Sequence, residues 1–510
     1  MKKRFNLLLA TLLATTTAVK AGGLLTNTNQ NIAFNRNFAR EGTIGIDGVY
    51  SNPAGVAFLS KGFHFSFNVQ NVYQTRIIDS GIEIPALKGT PFQHPFRLNG
   101  AAENGVKRFV GEASVPFLPS IQAARNYDRW GFQAAFALYG GGGKATFNSG
   151  LASFERQIAL LPALLSAANI VSDAPAYALN SYINGQQYIF GIQLGATYKV
   201  NQNLSAYAGM RFNYVFNKYE GKITDITANI DGTNQKLYDF FGAQSAVMSE
   251  KAKQYAAKAA ASTDPALKAQ LEGAAQQYAQ ASTQMTRLKD RVADKYLDCS
   301  QTGWGMTPIV GLNFNYKKWN VGTRLELNTN LNIENDTRTD DTGLFKKGVN
   351  TPNDIPGIWT LGVQYAILPN LRAMLGYHYF FDKQARIAND KQKLLEANTQ
   401  EFLAGVELDI TKNLLVSAGM QRTKYGLGDG AYLSDMSFVT SSYSVGFGAS
   451  VRVARNARLN LAYFWTDYEN FDKHYQQTYG IAEGKTIVAE NTDRFTRTNK
   501  VLGAGIDIDF

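Results

Sequence analysis

The stretch that decides the fold is the last ten residues, Val501 to Phe510, which read VLGAGIDIDF. Apart from Val501, one set of alternate residues is apolar and the other set is small or acidic. A repeat of two is the periodicity of a β-strand with two different faces. The stretch therefore predicts that the chain ends in an amphipathic strand, with an aromatic residue at its last position.

The beginning of the chain predicts a secretion signal over residues 1–21. Three basic residues at positions 2–4 precede a short apolar run from Leu7 to Ala14, and small residues stand at Ala18 and Ala21. The apolar run is much shorter than the ~20 residues that a spanning helix needs, so a membrane anchor is the weaker interpretation. We expect cleavage after Ala21.

Segments with the same alternation recur along the rest of the chain, and they predict fourteen strands. No stretch after the signal approaches ~20 apolar residues, although 45% of all residues are hydrophobic. In lipid, only helices and closed barrels satisfy their own backbone polar groups. The predicted strands span residues 61–76, 106–124, 130–140, 187–199, 203–217, 304–317, 319–330, 356–367, 370–381, 400–410, 413–424, 437–453, 456–468 and 496–510.

The connections between these strands alternate in length, which indicates a membrane barrel rather than a soluble β-protein. Short polar turns, such as Tyr316–Lys318 and Leu368–Asn370, alternate with much longer loops. That asymmetry is typical of outer-membrane barrels, whose short turns are periplasmic. A propeller would show a sequence repeat, which is absent, and a sandwich would have turns of similar length at both ends. The predicted fold is an all-β, 14-stranded antiparallel transmembrane β-barrel over residues 61–510.

Two segments do not fit the barrel wall. Residues 22–60 lack strand alternation but contain many apolar residues, which favours a hatch packed inside the barrel's periplasmic mouth. Residues 240–295 are rich in Ala, Lys and Gln, which are strong helix formers, and Asp264-Pro265 is typical of a helix start. This segment predicts a helical hairpin inserted in an extracellular loop.

The region around the hatch resembles the FadL/TodX family of outer-membrane transporters for long-chain fatty acids and other hydrophobic compounds. The resemblance rests on a tripeptide, Asn52-Pro53-Ala54, within a longer pattern. That pattern reads GGLLTNTNQ over 22–30, then Ala39-Arg40, then DGVYSNPAGVA over 47–57, and GFHFSFNVQ over 62–70. In sequence detail it covers about fifty residues, whereas the predicted strand count agrees over the whole mature chain.

The resemblance implies passive transport of hydrophobic molecules across the bacterial outer membrane. A ligand would be captured in an extracellular groove, passed to a lumen site above the hatch, and released sideways where the third strand is kinked. A lateral exit is reasonable because an apolar molecule gains nothing by entering water. The predicted third strand ends in Gly140, Gly141, Gly142 and Gly143, which could form or border that exit or begin a flexible loop. They lie towards the outer end of the strand, unlike the family's kink.

A fatty-acid carboxylate would require a cation that faces the lumen beside apolar walls. Alternation places Arg211, Arg324 and Arg372 on the lumen face, and these are the candidate ligand-binding residues. The alternative is that each arginine pairs with an acidic residue of the lumen. The acidic candidates for such pairing are Glu326, Glu407, Asp409 and Asp507.

The sequence does not favour an enzyme, a metal site or a cofactor. The four histidines, His64, His94, His378 and His474, form no metal-ligand or nucleophile-base pattern. The modest positive net charge of +10 is not concentrated in a block, so nucleic acid is not an expected partner. Expected partners are a hydrophobic small molecule, outer-membrane lipid, and periplasmic chaperones with the barrel-assembly machinery; we expect a monomer.

Two alternatives to fatty-acid transport remain open from the sequence. The same fold could transport or sense aromatic hydrocarbons or haem-like ligands. In a different functional class, the barrel could be an adhesin or structural protein that binds a partner through its helical insertion.

Overall fold

A computed structural model describes residues 25–167, 176–482 and 485–510. The predicted signal peptide, residues 1–21, lies outside the described residues. Within the described ranges, no helix is both long enough and apolar enough to cross a membrane.

The described residues form one antiparallel sheet that closes on itself. Within them, fourteen strands build the wall in the order β1-β2-β3-β4-β5-β7-β8-β11-β12-β13-β14-β15-β16-β18, and β18 pairs with β1 to close the barrel. The predicted 14-stranded fold is confirmed. The strands are β1 Gly62–Glu83, β2 Val106–Asn126, β3 Trp130–Phe147, β4 Tyr177–Lys199, β5 Leu204–Ile230, β6 Thr233–Lys236, β7 Lys295–Tyr316, β8 Trp319–Glu326, β9 Asn332–Asp340, β10 Asn350–Pro352, β11 Ile358–Leu368, β12 Leu371–Phe380, β13 Ala397–Asp409, β14 Leu414–Gly426, β15 Ser442–Ala454, β16 Ala457–Tyr468, β17 Phe471–Ala482 and β18 Lys485–Asp509.

Side-chain alternation explains why these segments form a wall. On β5, Arg211 and Asn213 point inward and are buried, whereas Met210 and Phe212 point outward and are 46% and 40% exposed. A large apolar area exposed on the outer face is stable only against an apolar environment such as lipid. Exposed Trp130 and Trp319 stand next to short turns, where indole rings are typical of the membrane interface.

Several strands continue beyond the predicted limits at the end of the barrel that carries the long loops. β1 continues to Glu83 and β5 to Ile230, and the short strands β6, β9, β10 and β17 extend the wall at the same end. Cys299 is a buried residue of β7.

Helices occur in the hatch and in two of the long loops, and only the pair at Leu237–Ala261 and Pro265–Arg291 is long among those that the structure describes. In the hatch, α1 and α2 are each about one turn long, and nearly all of residues 25–60 are buried. The helices are α1 Ile32–Arg36, α2 Gly48–Ser51, α3 Ala152–Ala159, α4 Leu161–Ala167, α5 Leu237–Ala261 and α6 Pro265–Arg291. Single 3₁₀ turns cover Gly55–Phe58, Pro85–Leu87, Pro95–Asn99, Asp382–Gln384 and Ala388–Leu394.

The helical insertion is an antiparallel pair, α5 and α6. The Asp264 side chain accepts a hydrogen bond from the Ala266 amide at 2.9 Å, so Asp264 caps α6 as its sequence indicates. The base of the pair is fixed by Leu237, Phe241 and Val292, which are buried in an apolar cluster at the long-loop end. The rest of the pair stands away from the barrel.

Candidate functional site

Three consecutive hatch residues, Asn52-Pro53-Ala54, attach the hatch to three different wall strands. The Asn52 amide donates to Asn313 Oδ1 on β7 at 2.7 Å. The carbonyl of Pro53 accepts from Gln133 Nε2 on β3 at 2.7 Å, and that of Ala54 accepts from Ser205 Oγ on β5 at 2.7 Å. The side chain of Asn52 and the backbone carbonyls of Pro53 and Ala54 are therefore all hydrogen-bonded to lumen side chains.

A second attachment is a buried network of charges around Arg40. Its guanidinium donates to Asp47 within the hatch at 2.8 Å and to Glu407 on β13 at 2.7 Å. Burial disfavours the charge of Arg40, but attraction to the two carboxylates outweighs burial and raises the pKa of Arg40. Arg36 also donates to Glu407, at 2.9 Å. The hatch thus contributes two cations that meet one carboxylate of the wall.

Arg211 and Arg324, two of the predicted ligand-binding residues, lie together in the lumen around Glu326. Arg211 forms an ion pair with Glu326, and Arg324 Nε lies 3.5 Å from the same carboxylate. Arg324 also donates to the Tyr50 carbonyl, and its guanidinium lies 4.3 Å from the centre of the Tyr50 ring. Burial raises the pKa of Tyr50 to about 12, so this phenol is neutral. Both arginines are therefore engaged by the wall and the hatch.

Arg372, the third predicted residue, lies apart from that pair. Its guanidinium donates to Asp409 at 2.7 Å and lies 3.5 Å from Glu407, near the short-turn end of the barrel. All three predicted arginines therefore have a carboxylate partner, which agrees with the alternative that lumen arginines pair with lumen acids. Their contact with a ligand stays a prediction.

The wall is interrupted between β2 and β3. The strand pairing stops where Ser114 of β2 faces Lys144 of β3, and it resumes where Ile121 faces Phe136. In this interval β2 carries Pro116 and Pro119, which have no backbone N–H to donate to a neighbouring strand. A second interruption lies on β7, which pairs with β8 up to Ile309–Glu326 and with β9 only from Thr302–Glu334.

The predicted glycine run lies on β3 beside this opening. Its pairing with β4 contains two irregularities, between Leu138 and Gly140 and between Gly141 and Gly143. Gly141 has a φ of +73°, which favours glycine, and a Cβ there would lie 2.1 Å from the Gln187 carbonyl oxygen. The run therefore forms a bend in a strand rather than a free loop. Whether it serves as a lateral gate stays a prediction.

The bend also contacts the beginning of the hatch. The Asn27 amide N–H donates to the Tyr139 carbonyl at 2.7 Å, and its side chain donates to the Gly141 carbonyl at 2.7 Å. A Cβ on Gly140 would lie 2.2 Å from the Leu25 carbonyl oxygen. The hatch thus supplies hydrogen-bond donors to β3 carbonyls where β2 is not paired with β3. A movement of Asn27 would therefore change the conformation of β3.

A cavity of about 290 Å³ occupies the opening. It is lined mainly by apolar side chains of β2, β3 and β4, with Lys144 as its charged member. Phe117 stands at its outer side and is 61% exposed. The apolar lining residues are Val115, Pro116, Phe117, Leu118, Pro119, Phe136, Leu138, Tyr188 and Phe190. Such a lining suits an apolar molecule that moves between the lumen and lipid.

A smaller cavity of about 40 Å³ lies above Leu25, between the hatch and the loops. Apolar residues, including Ile333, Phe345 and Tyr432, share its lining with the polar Gln187 and Asn217. The sequence did not indicate this cavity, because its lining comes from many separate strands and loops. By contrast, the two prolines of β2 were visible in the sequence and were a signal for the interruption.

Comparisons with known proteins identify the fold. No family model matches the sequence, and no curated protein is significantly similar to it. Among solved structures, a FadL homologue of Pseudomonas aeruginosa aligns over 96% of this chain and 100% of its own, with a TM-score of 0.57 and 12% identity. This chain has the fold of that FadL homologue. The resemblance predicted from residues 22–70 is confirmed at the level of the fold.

Two toluene transporters also align with this FadL-type barrel. TodX of P. putida covers 91% of this chain and 94% of its own, with a TM-score of 0.48 and 11% identity. TbuX of Ralstonia pickettii covers 92% of this chain and 97% of its own, with a TM-score of 0.45 and 12% identity. These two scores are too low to support an argument.

Proposed function

We propose that this protein is a passive outer-membrane transporter of hydrophobic molecules, most simply long-chain fatty acids. It would belong to the FadL/TodX family and would act without catalysis, as a monomer. The observation that supports this most directly is the combination of a hatched lumen with an apolar opening in the wall between β2 and β3.

The proposed route follows the apolar surfaces of the structure. A ligand is captured among the long loops, enters the lumen above the hatch, and leaves sideways between β2 and β3. Lateral exit spares the ligand the aqueous path through the hatch, where the lumen is filled by polar side chains and ion pairs. Because Asn27 contacts the bend of β3, a small shift of the hatch would change the opening.

The test is to fill the opening. Leu118 is 8% exposed and lines the 290 Å³ cavity, so Leu118→Trp would place an indole in the exit. We expect overpacking to cost about 1–3 kcal/mol of stability, which a closed barrel tolerates, while the exit is obstructed. Uptake of radiolabelled oleate should fall strongly in a strain that lacks its own fatty-acid transporter.

The matched control is Leu375→Trp, since Leu375 is 66% exposed on the outer face of β12 and far from the opening. Its uptake should equal that of the unchanged protein. Surface amounts and the mobility shift on heating in SDS gels confirm folding of both variants. If Leu118→Trp transports oleate as well as the control, the lateral route is wrong. If the unchanged protein takes up toluene but no oleate, the ligand is an aromatic hydrocarbon.

A further inference from the structure

A row of side chains crosses the outer face of the wall at the upper end of the opening between β2 and β3. Strand register places its members side by side on seven neighbouring strands, and each is exposed or partly exposed. From β18 to β7 they are Lys500, Tyr73, Ser114, Lys144, Gln186, Lys218 and Ser300. All seven side chains can donate a hydrogen bond and none is acidic, so we call them the donor row.

Aromatic side chains place the donor row at the depth of the lipid head groups. Phe190, Tyr214 and Trp304 are register partners on β4, β5 and β7, and all three are exposed on the outer face. Such aromatic rings are typical of the boundary between lipid and water. Lys218 lies four residues further along β5 than Tyr214, towards the long loops. The donor row therefore lies just outside the aromatic belt.

The opening extends from the donor row through the depth of one leaflet. It begins at Ser114 and Lys144, which belong to the row, and it ends at Ile121 and Phe136. Seven residues of β2 span roughly 24 Å along the strand. A strand tilt of about 40° reduces this span to roughly 18 Å of depth. The hydrocarbon of one leaflet is about 15 Å thick, so the opening faces the acyl chains of the outer leaflet.

The donor row is positively charged. Lys144 and Lys500 form no ion pair with any carboxylate that the structure describes, whereas Lys218 pairs with Glu220. One row further out lie the nearest acidic residues, Glu112, Glu220 and Asp298. Because positive charge is confined to one level of the wall, an anion is stabilised at the donor row and repelled further out.

We propose that the donor row and the opening beneath it bind an anionic lipid of the outer leaflet, with its phosphate on Lys144 and one acyl chain in the opening. Neighbouring strands lie about 4.8 Å apart, so Ser114 and Gln186 flank Lys144 within reach of the same phosphate. Beneath them, Phe117 and Phe136 contribute to the apolar lining that an acyl chain would contact. The inference goes beyond the proposed function, because it gives the protein a second ligand on its outer surface.

A bound lipid also explains how the wall stays sealed at the opening. The cavity of about 290 Å³ is lined mainly by apolar side chains and is open to the membrane. An acyl chain in this cavity restores the dispersion contacts that the lining lacks without a partner. The chain therefore fills the exit until a transported molecule displaces it.

The experiment uses a tryptophan at the opening as a reporter. Phe117→Trp places an indole at a position that is 61% exposed and lines the cavity. Acyl chains that carry bromine quench the fluorescence of an indole that they touch. The purified variant is placed in lipid nanodiscs that contain increasing fractions of brominated phosphatidic acid or of phosphatidylcholine with the same brominated chains. The quenching of the protein with Phe117 in place is subtracted.

We expect the reporter to favour phosphatidic acid roughly tenfold, because one lysine near a membrane surface contributes about a fivefold preference for an anionic lipid. Adding Lys144→Gln to the reporter should lower the preference about fivefold. Lys144→Arg keeps the charge and should keep the preference. Lys424→Gln is the matched control, since Lys424 is an exposed lysine near the long-loop end of β14, on another part of the wall.

Equal quenching by the two lipids, or an unchanged preference in Lys144→Gln, would overturn the lipid site. An equal loss of preference in Lys424→Gln would assign the effect to the overall charge of the outer rim, which also overturns the site. The mobility shift on heating in SDS gels verifies that each variant is folded. None of these measurements involves the transported molecule, so the lipid site can fail while oleate transport stands.

Discussion

Gly141 shows how a single residue sets the shape of the wall. Its φ of +73° lies in the left-handed region, and a Cβ would meet the carbonyl of Gln187 on β4 at 2.1 Å. Backbone cannot move aside as a flexible side chain can, so a larger residue must displace β3 from β4. The bend beside the opening therefore depends on glycine for two reasons, conformation and space.

A pair of glycine substitutions separates these two reasons. Gly343 has a φ of +74° with open space around its Cβ position, so Gly343→Ala should cost only the left-handed penalty of about 1 kcal/mol. Gly141→Ala carries the same penalty and also the clash, and we expect a larger loss of stability together with altered oleate uptake. The heating midpoint of the mobility shift in SDS gels measures stability. Equal midpoints would show that β3 and β4 accommodate a methyl group.

The lumen arginines show where residue-level prediction from sequence stops. Alternation correctly placed Arg211 and Arg324 on the buried face, because lipid on one side excludes charge. It could not decide which carboxylate each arginine pairs with, since that depends on partners hundreds of residues away, as with Arg36 and Glu407.

At the scale of elements, the helical pair α5–α6 is attached to the barrel only at its base. Leu237, Phe241 and Val292 are buried at the base, whereas no residue of α6 is buried. The two helices are held together by ring stacking of Tyr255 on Tyr278 and by hydrogen bonds of Ser245 with Ser282 and Thr286. The pair is thus a separate structural unit, and its removal should not disturb the wall.

We expect a shortened insertion to leave transport intact. Ser245 Oγ lies 2.8 Å from Thr286 Oγ1, so a short Gly-Ser turn can replace residues 247–284 and keep the base, to which Met285 and Leu288 also belong. This variant should have the same heating midpoint and the same oleate uptake as the full chain. Reduced uptake would assign ligand capture to the insertion. Loss of cell attachment with normal uptake would support the adhesin alternative for this element.

At the scale of the whole molecule, strand number and order followed from the sequence because lipid outside and polar groups inside act on every wall strand. The strand extensions at the long-loop end could not be predicted from the sequence. Water replaces lipid there, so residues that face outward need not be apolar. On β17, for example, the outward-facing Asp472 and His474 are exposed and polar. The β2–β3 opening was also missed, although Pro116 and Pro119 indicated it.

The wall closes by its own strand pairing, so the hatch can loosen without loss of the barrel. Arg40→Gln removes the cation that joins Asp47 to Glu407, and it leaves Asp47 buried without its partner. Breaking such a pair costs about 3–5 kcal/mol, and this destabilises the packed hatch rather than the strand pairing of the wall. We expect the unchanged protein to conduct few ions in planar bilayers and Arg40→Gln to show open-channel events.

Arg372→Gln is the matched control for this leak. Arg372 lies near the same carboxylate, Glu407, but both of its partners belong to the wall, so its loss should not loosen the hatch. If Arg372→Gln conducts ions as Arg40→Gln does, the leak comes from a weakened wall. If Arg40→Gln stays closed, the hydrogen bonds that Asn27 and Asn52 to Ala54 make with the wall are enough to hold the hatch, and the charge network serves another purpose.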